Sequence, residues 1–100
     1  MIVRSTEEAQ RLAEEHLARV AMRTSVDPAI LVENTVKTDF GWVFFWTSKK
    51  YLETQKFEDA LAGNAPLIVD KRDGTVHETS TAYPIDEMIE RYRKANPVTL

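Results

Sequence analysis

Asp70 and His77 bracket the stretch Lys71-Arg72-Asp73-Gly74-Thr75-Val76, and Asp73-Gly74 is the dipeptide that favours a two-residue type I′ hairpin loop. With those two residues as the loop, Arg72 faces Thr75, Lys71 faces Val76 and Asp70 faces His77 across the hairpin. A carboxylate that orients an imidazole is the arrangement of a general base. Such a base needs a nucleophile or a defined substrate group beside it. The chain supplies only scattered Ser and Thr residues and no G-x-S-x-G turn. The same two residues have a plainer use, as an opposite-charge cross-strand pair that fixes register beside the turn. The plainer use is favoured, and no catalytic residue is assigned.

Other chemistry is equally thin. His16 and His77 are the only histidines, and there is no cysteine, whereas a zinc site needs three or four ligands in a defined arrangement. No metal, no cofactor and no phosphate loop is expected. Glu7-Glu8, Glu14-Glu15 and Glu58-Asp59 read as solvated faces or first-turn helix charges. Sixteen acidic and 13 basic residues are interspersed for a net charge of −3, which lacks the clustered Lys and Arg of a nucleic-acid binder. No run approaches the ~20 apolar residues that span a bilayer. The N-terminus MIVRSTEEAQ has no basic stretch followed by an apolar one, so a secretory signal is not expected. With cysteine absent, the expected location is the cytoplasm.

The elements that would carry these residues are legible from periodicity. Ser5 and Glu8 have capping-box spacing, and Ala9, Leu12, Ala13, His16, Leu17 and Val20 recur at helical period. Pro28 marks the end of that helix, because it disfavours helical backbone before it. Alternation predicts a strand over residues 30–37 and an aromatic strand over residues 42–47, with turn chemistry at Thr38–Gly41 between them. Residues 49–55 are polar, with Tyr51 and Leu52 as anchors, and residues 57–61 suit one helical turn. Gly63-Asn64 reads as a helix stop and Pro66 as a strand start. Strands over residues 67–70 and 76–79 form the hairpin. Pro84 opens a last helix whose stripe is Ile85, Met88, Ile89 and Tyr92. One α+β domain over residues 1–100 is predicted, with residues 97–100 as a disordered tail. Its parts are an N-terminal helix, a four-stranded antiparallel meander and a C-terminal helix, both helices on one face of the sheet.

The aromatic strand places Trp42, Phe44 and Trp46 on one face and Val43 and Phe45 on the other. Three large aromatics bury ~150–250 Å² each, and such a stripe left exposed marks an interaction site. Left covered, it is core beneath the helices. The sequence leaves both open, and a homodimer seam as well.

The segment Leu61–His77, LAGNAPLIVDKRDGTVH, together with the upstream GWVFFWTSKKYLETQKFEDA and the downstream TAYP, resembles the immunity protein 35 family of bacterial polymorphic-toxin systems. The likeness covers roughly residues 40–92. Ala65 stands where many relatives carry glycine, and Thr79-Ser80 replaces a leucine-glycine pair. The resemblance implies a non-enzymatic module that binds a cognate protein toxin and occludes its active surface. The contact set expected is Asp39, Trp42, Phe44, Trp46, Glu53, Glu58 and Asp59. Its acidic members suit a basic toxin, with aromatic anchors carrying affinity. The alternative is a small holdase-like chaperone that uses the same aromatic face on several clients.

Overall fold

A computed structural model of the chain describes residues 2–23, 27–55, 65–79 and 83–97. The first helix, α1 (Thr6–Arg23), begins at the predicted cap: the Glu8 amide donates to Ser5 Oγ at 3.2 Å. The reciprocal half of the box is displaced by one residue, since Glu8 Oε2 accepts from the Arg4 amide at 3.3 Å. Ala9, Ala13 and Leu17 form its buried stripe. Two alanines on that stripe let the helix axis approach the sheet closely.

The sheet is bent and interrupted where the sequence predicts two continuous strands. Strands β1 (Pro28–Ile30) and β2 (Val36–Lys37) are separated by a 3₁₀ turn over Val32–Asn34. Opposite them run β3 (Gly41–Phe44) and β4 (Trp46–Ser48), which break only at Phe45. β1 pairs antiparallel with β4, Ile30 opposite Trp46, and β2 pairs with β3, Val36 opposite Val43. The three residues of the 3₁₀ turn therefore loop out of the first strand with no counterpart in the second, as an extended bulge does. The Leu31 amide still reaches the Phe45 carbonyl at 2.8 Å and keeps the ribbon together. The polar stretch after β4 forms a short helix, α2 (Lys49–Thr54). Ser48 Oγ caps it, and Gln55 ends it in the left-handed region at φ 56°.

β3, β5 (Leu67–Asp70) and β6 (Val76–Glu78) complete a four-stranded antiparallel sheet in the order β2-β3-β5-β6. The predicted meander is present, with β1–β4 as a two-stranded extension. The last helix, α3 (Ile85–Ala95), starts after Pro84 and buries Met88. The predicted helix stop at Gly63-Asn64, the turn over residues 57–61 and the tail from 98 onward lie outside the described residues.

One part of the expected architecture is corrected. The helices cover opposite faces of the sheet, not one face. Ala9, Ala13 and Leu17 of α1 pack with Trp42, Phe44, Leu67 and Val69. Met88 of α3 packs with Phe40, Val43 and Ile68, joined by Phe45, Ile85, Ile89 and Tyr92. The reason lies in the two central strands, every residue of which is buried in both β3 and β5. Helices on a single face would leave either Trp42 and Phe44 or Val43 and Ile68 in water, at a cost of about 1.5–3 kcal/mol for each large side chain.

Gly41 sits where β3 enters the sheet opposite Asp70, with φ +151°. A Cβ there would lie 2.0 Å from the Val69 carbonyl oxygen, which is backbone in a central strand and cannot step aside. Gly41→Ala is expected to destabilise the fold by about 2–4 kcal/mol. Urea denaturation checks it, as a lowered midpoint with an unchanged slope.

Candidate functional site

The hairpin that was to bring Asp70 opposite His77 adopts another register. Leu67 pairs with Glu78, Ile68 with His77 and Val69 with Val76. The Asp70 amide bonds the Thr75 carbonyl at 3.0 Å, so the loop runs from Lys71 to Gly74, longer than the two residues expected. Side-chain chemistry decides this. Asp70 Oδ1 accepts the Arg72 amide at 2.9 Å, and Asp73 Oδ1 accepts the Thr75 amide at 3.0 Å, one such turn after another. Asp at the start of a tight turn captures the backbone two residues on, and here that outcompetes the type I′ preference of Asp73-Gly74. Gly74, at φ +73°, takes the left-handed position that closes the longer loop.

Asp70 is therefore partnered by different residues. Its Oδ1 also accepts Arg72 Nε at 2.9 Å, while Oδ2 accepts Arg72 Nη2 at 2.6 Å and the Tyr92 hydroxyl at 2.7 Å. Burial pushes the Asp70 carboxyl up, but the bonds from Arg72 and Tyr92 more than reverse this and lower it from 3.8 to about 2. Burial and the Asp70 carboxylate together push the Tyr92 phenol up. A carboxylate that accepts four hydrogen bonds and protonates only near pH 2 is a poor proton acceptor at neutral pH. The cluster is a clamp. It joins the β5–β6 turn to α3 through Tyr92 and to the segment after α3 through Arg72 Nη1, which donates to the Pro97 carbonyl at 2.9 Å.

His77 stands beside Tyr92 on that face, ring centroids 5.4 Å apart, and its Nε2 lies 2.6 Å from Thr75 Oγ1. Thr75 Oγ1 donates its one proton to Asp73 Oδ1 at 2.7 Å. The imidazole must then donate to the hydroxyl. That polarity is the reverse of a base drawing a proton from a nucleophile. His16 is on the other face, where its Nε2 lies 2.9 Å from Glu78 Oε1 and links α1 to β6. Among the described residues no three His, Asp or Glu side chains are grouped to hold a metal ion.

The residues expected to meet a partner are dispersed. Trp42 is 3% exposed and Phe44 0%, both beneath α1, and the Trp42 indole donates to Thr6 Oγ1 at 3.0 Å. These two belong to the interior. Trp46 is half-buried at the edge of the same cluster and donates its indole N–H to the Ala65 carbonyl at 2.8 Å. Asp39 is at the surface but held by Arg93 of α3, with Oδ1 2.8 Å from Nη2; the Arg93 bond holds its carboxyl below the ordinary value. Glu53 is exposed on α2, and Glu58 and Asp59 lie outside the described residues. Sequence reasoning missed Arg72 and Tyr92 as the partners of Asp70. The signal available was the Asp-x-Arg spacing, which permits a turn closed by its own guanidinium.

The chain is an α+β domain whose sheet is covered on both faces and whose Asp70 cluster is fully hydrogen-bonded. The family's sequence profile, immunity protein 35, matches residues 7–95, and the chain belongs to that family. The match takes in α1, beyond the segment in which the motifs lie. The chain is also 42% identical over 52 residues to the uncharacterized protein YrhB of Escherichia coli strain K12, an alignment of 52% of this chain and 55% of that protein. The chain thus aligns with about half the length of the curated relative it matches. No solved structure matches it. Among the described residues no helix is long and apolar enough to cross a membrane.

Because the folded Asp70 carboxyl lies below its unfolded value of 3.8, its contribution is complete above about pH 5 and fades as pH falls toward 2. The shift corresponds to roughly 2 kcal/mol. Asp70→Asn should lower stability at pH 7 by about that amount and flatten the acid limb relative to wild type. Tyr92→Phe should cost about 1 kcal/mol. Chemical denaturation of each protein from about pH 7 to pH 2.5 checks both.

Proposed function

We propose that the protein is a non-enzymatic immunity protein that binds a cognate bacterial toxin and blocks its active surface. The observation that carries this reading is the family match over residues 7–95, which spans every element of the fold. The polar geometry supports it, since Asp70, the carboxylate that was to orient His77, is engaged in holding α3 to the hairpin. Occlusion requires a rigid surface and no chemistry. A standard interface takes about 800 Å² per partner, within reach of one side of a domain this size.

The toxin's chemistry is read from the acidic residues that follow Trp46 in sequence. Glu53, Glu58 and Asp59 follow β4 closely in sequence, beyond the half-buried Trp46. Carboxylates around an aromatic anchor suit a basic toxin such as a nuclease, with charge setting association rate and the anchor setting residence time. The cytoplasm, where such a toxin acts, is the corresponding location. Trp42 and Phe44, buried beneath α1, are not part of the proposed contact.

Co-expression with the toxin of the adjoining gene should restore growth, and the purified proteins should form a saturable one-to-one complex. Glu53→Lys with Glu58→Lys and Asp59→Lys should slow association about tenfold at low salt. Stopped-flow association measures it. Equal suppression of aggregation of unrelated proteins, with no selective complex, would instead establish the holdase reading.

A further inference from the structure

A groove of about 480 Å³ runs between α1 and the β1 side of the ribbon. Its walls include Leu17, Ala18 and Ala21 of α1 and Ile30 and Val32 across from them. A second hollow, lined by Ile30, Val32 and Glu33 among others, shares two of those residues and continues the groove along the 3₁₀ turn. Three features set it apart. The looped-out turn holds Val32 at 57% exposure, an apolar side chain held out of the core by the break in the strand. Ala18 and Ala21 are small, so the helix wall is low, and none of the described residues fills the space above it. Among the described residues β1 pairs with β4 alone, which makes it an edge strand at the groove floor.

The charge at the rim is one-sided. Asp27 and Lys49 offset each other at 3.5 Å. Glu14 on the helix wall and Glu33 on the turn have no hydrogen-bond or ion-pair partner among the described residues, and no cation lines either hollow besides Lys49. An apolar floor between two uncompensated carboxylates is complementary to a segment that presents an apolar side chain flanked by Lys or Arg. The floor also adjoins Trp46, which faces Ile30 across the β1–β4 pair.

Resting on the immunity reading, we infer that the α1–β1 groove receives a basic, apolar-anchored segment of the toxin. The groove takes the apolar anchor, and Glu14 and Glu33 meet the flanking cations. The segment lies along β1, and Trp46 borders it.

The test uses the full chain and a catalytically inactive form of the toxin of the adjoining gene. Ala18→Trp fills the groove from an exposed helix position, and Glu14→Lys with Glu33→Lys reverses its rim. Lys94→Trp, on α3 across the sheet, is the steric control. By calorimetry, Ala18→Trp should weaken the complex about 30-fold or more, as loss of a buried anchor does. The double reversal should weaken it about tenfold at low salt and lessen the salt dependence. Lys94→Trp should leave affinity unchanged, and thermal melts should show all variants folded. Wild-type binding that both groove variants retain in full overturns the groove and leaves the immunity reading standing. No complex with the wild-type chain overturns the immunity reading and the groove with it. A wild-type homodimer that Ala18→Trp converts to monomer while toxin affinity is unchanged assigns the groove to a second copy and overturns the inference.

Discussion

Two adjacent strands, β3 and β5, are buried along their whole length on both faces, and the remainder of the architecture answers to that. A strand apolar on both sides needs a cover above and a cover below. Here α1 supplies one with Ala9, Ala13 and Leu17, and α3 the other with Met88 and its neighbours. The strands at the margins, β2 and β6, need only be half covered, and their partly exposed residues agree with that. The same demand puts Trp42 and Phe44 out of a partner's reach. Their bulk holds α1 at its station, and so positions whatever surface α1 offers.

The second organising element is electrostatic. The buried Asp70 carboxylate gathers the Arg72 amide and guanidinium and the Tyr92 hydroxyl, while Arg72 reaches on to the Pro97 carbonyl. A buried charge is tolerable only when paired and fully hydrogen-bonded, and this one is both. One acidic side chain thereby fixes the loop length of the hairpin and the seat of α3. Asp39 and Arg93 repeat the device at the surface, tying the β2–β3 turn to the same helix, which Arg93 also bonds through Glu90. α3 is held at both its apolar stripe and its C-terminal half.

The chain belongs to the immunity protein 35 family, and the two faces of its sheet differ in how they are tied. The α3 face is closed by clamps. The α1 face carries the features left open: a low helix wall, an edge strand and a turn that displays a valine. The bulge at Val32–Asn34 is the local irregularity on the α1 side. Irregularities in a sheet that aim a side chain outward are commonly where a fold meets its partner.

Local pattern determined much of this molecule. Helical period places α1 and the stripe of α3; alternation places Trp42, Phe44 and Trp46 on one side of the ribbon and Val43 and Phe45 on the other; Ser5 and Pro84 mark helix starts. Those are properties of a few neighbouring residues, so composition and spacing suffice. The choice of face for each helix belongs to tertiary structure, because it depends on how two strands far apart in sequence lie side by side. So does the partner of Asp70: Asp-Gly signals a tight loop, but a guanidinium two residues on and a phenol on another helix together outweigh that preference. The groove was least legible of all. Glu14 reads as an ordinary solvated helix charge and Val32 as one tooth of a strand. Only the looping out of three residues turns them into opposite walls of one hollow.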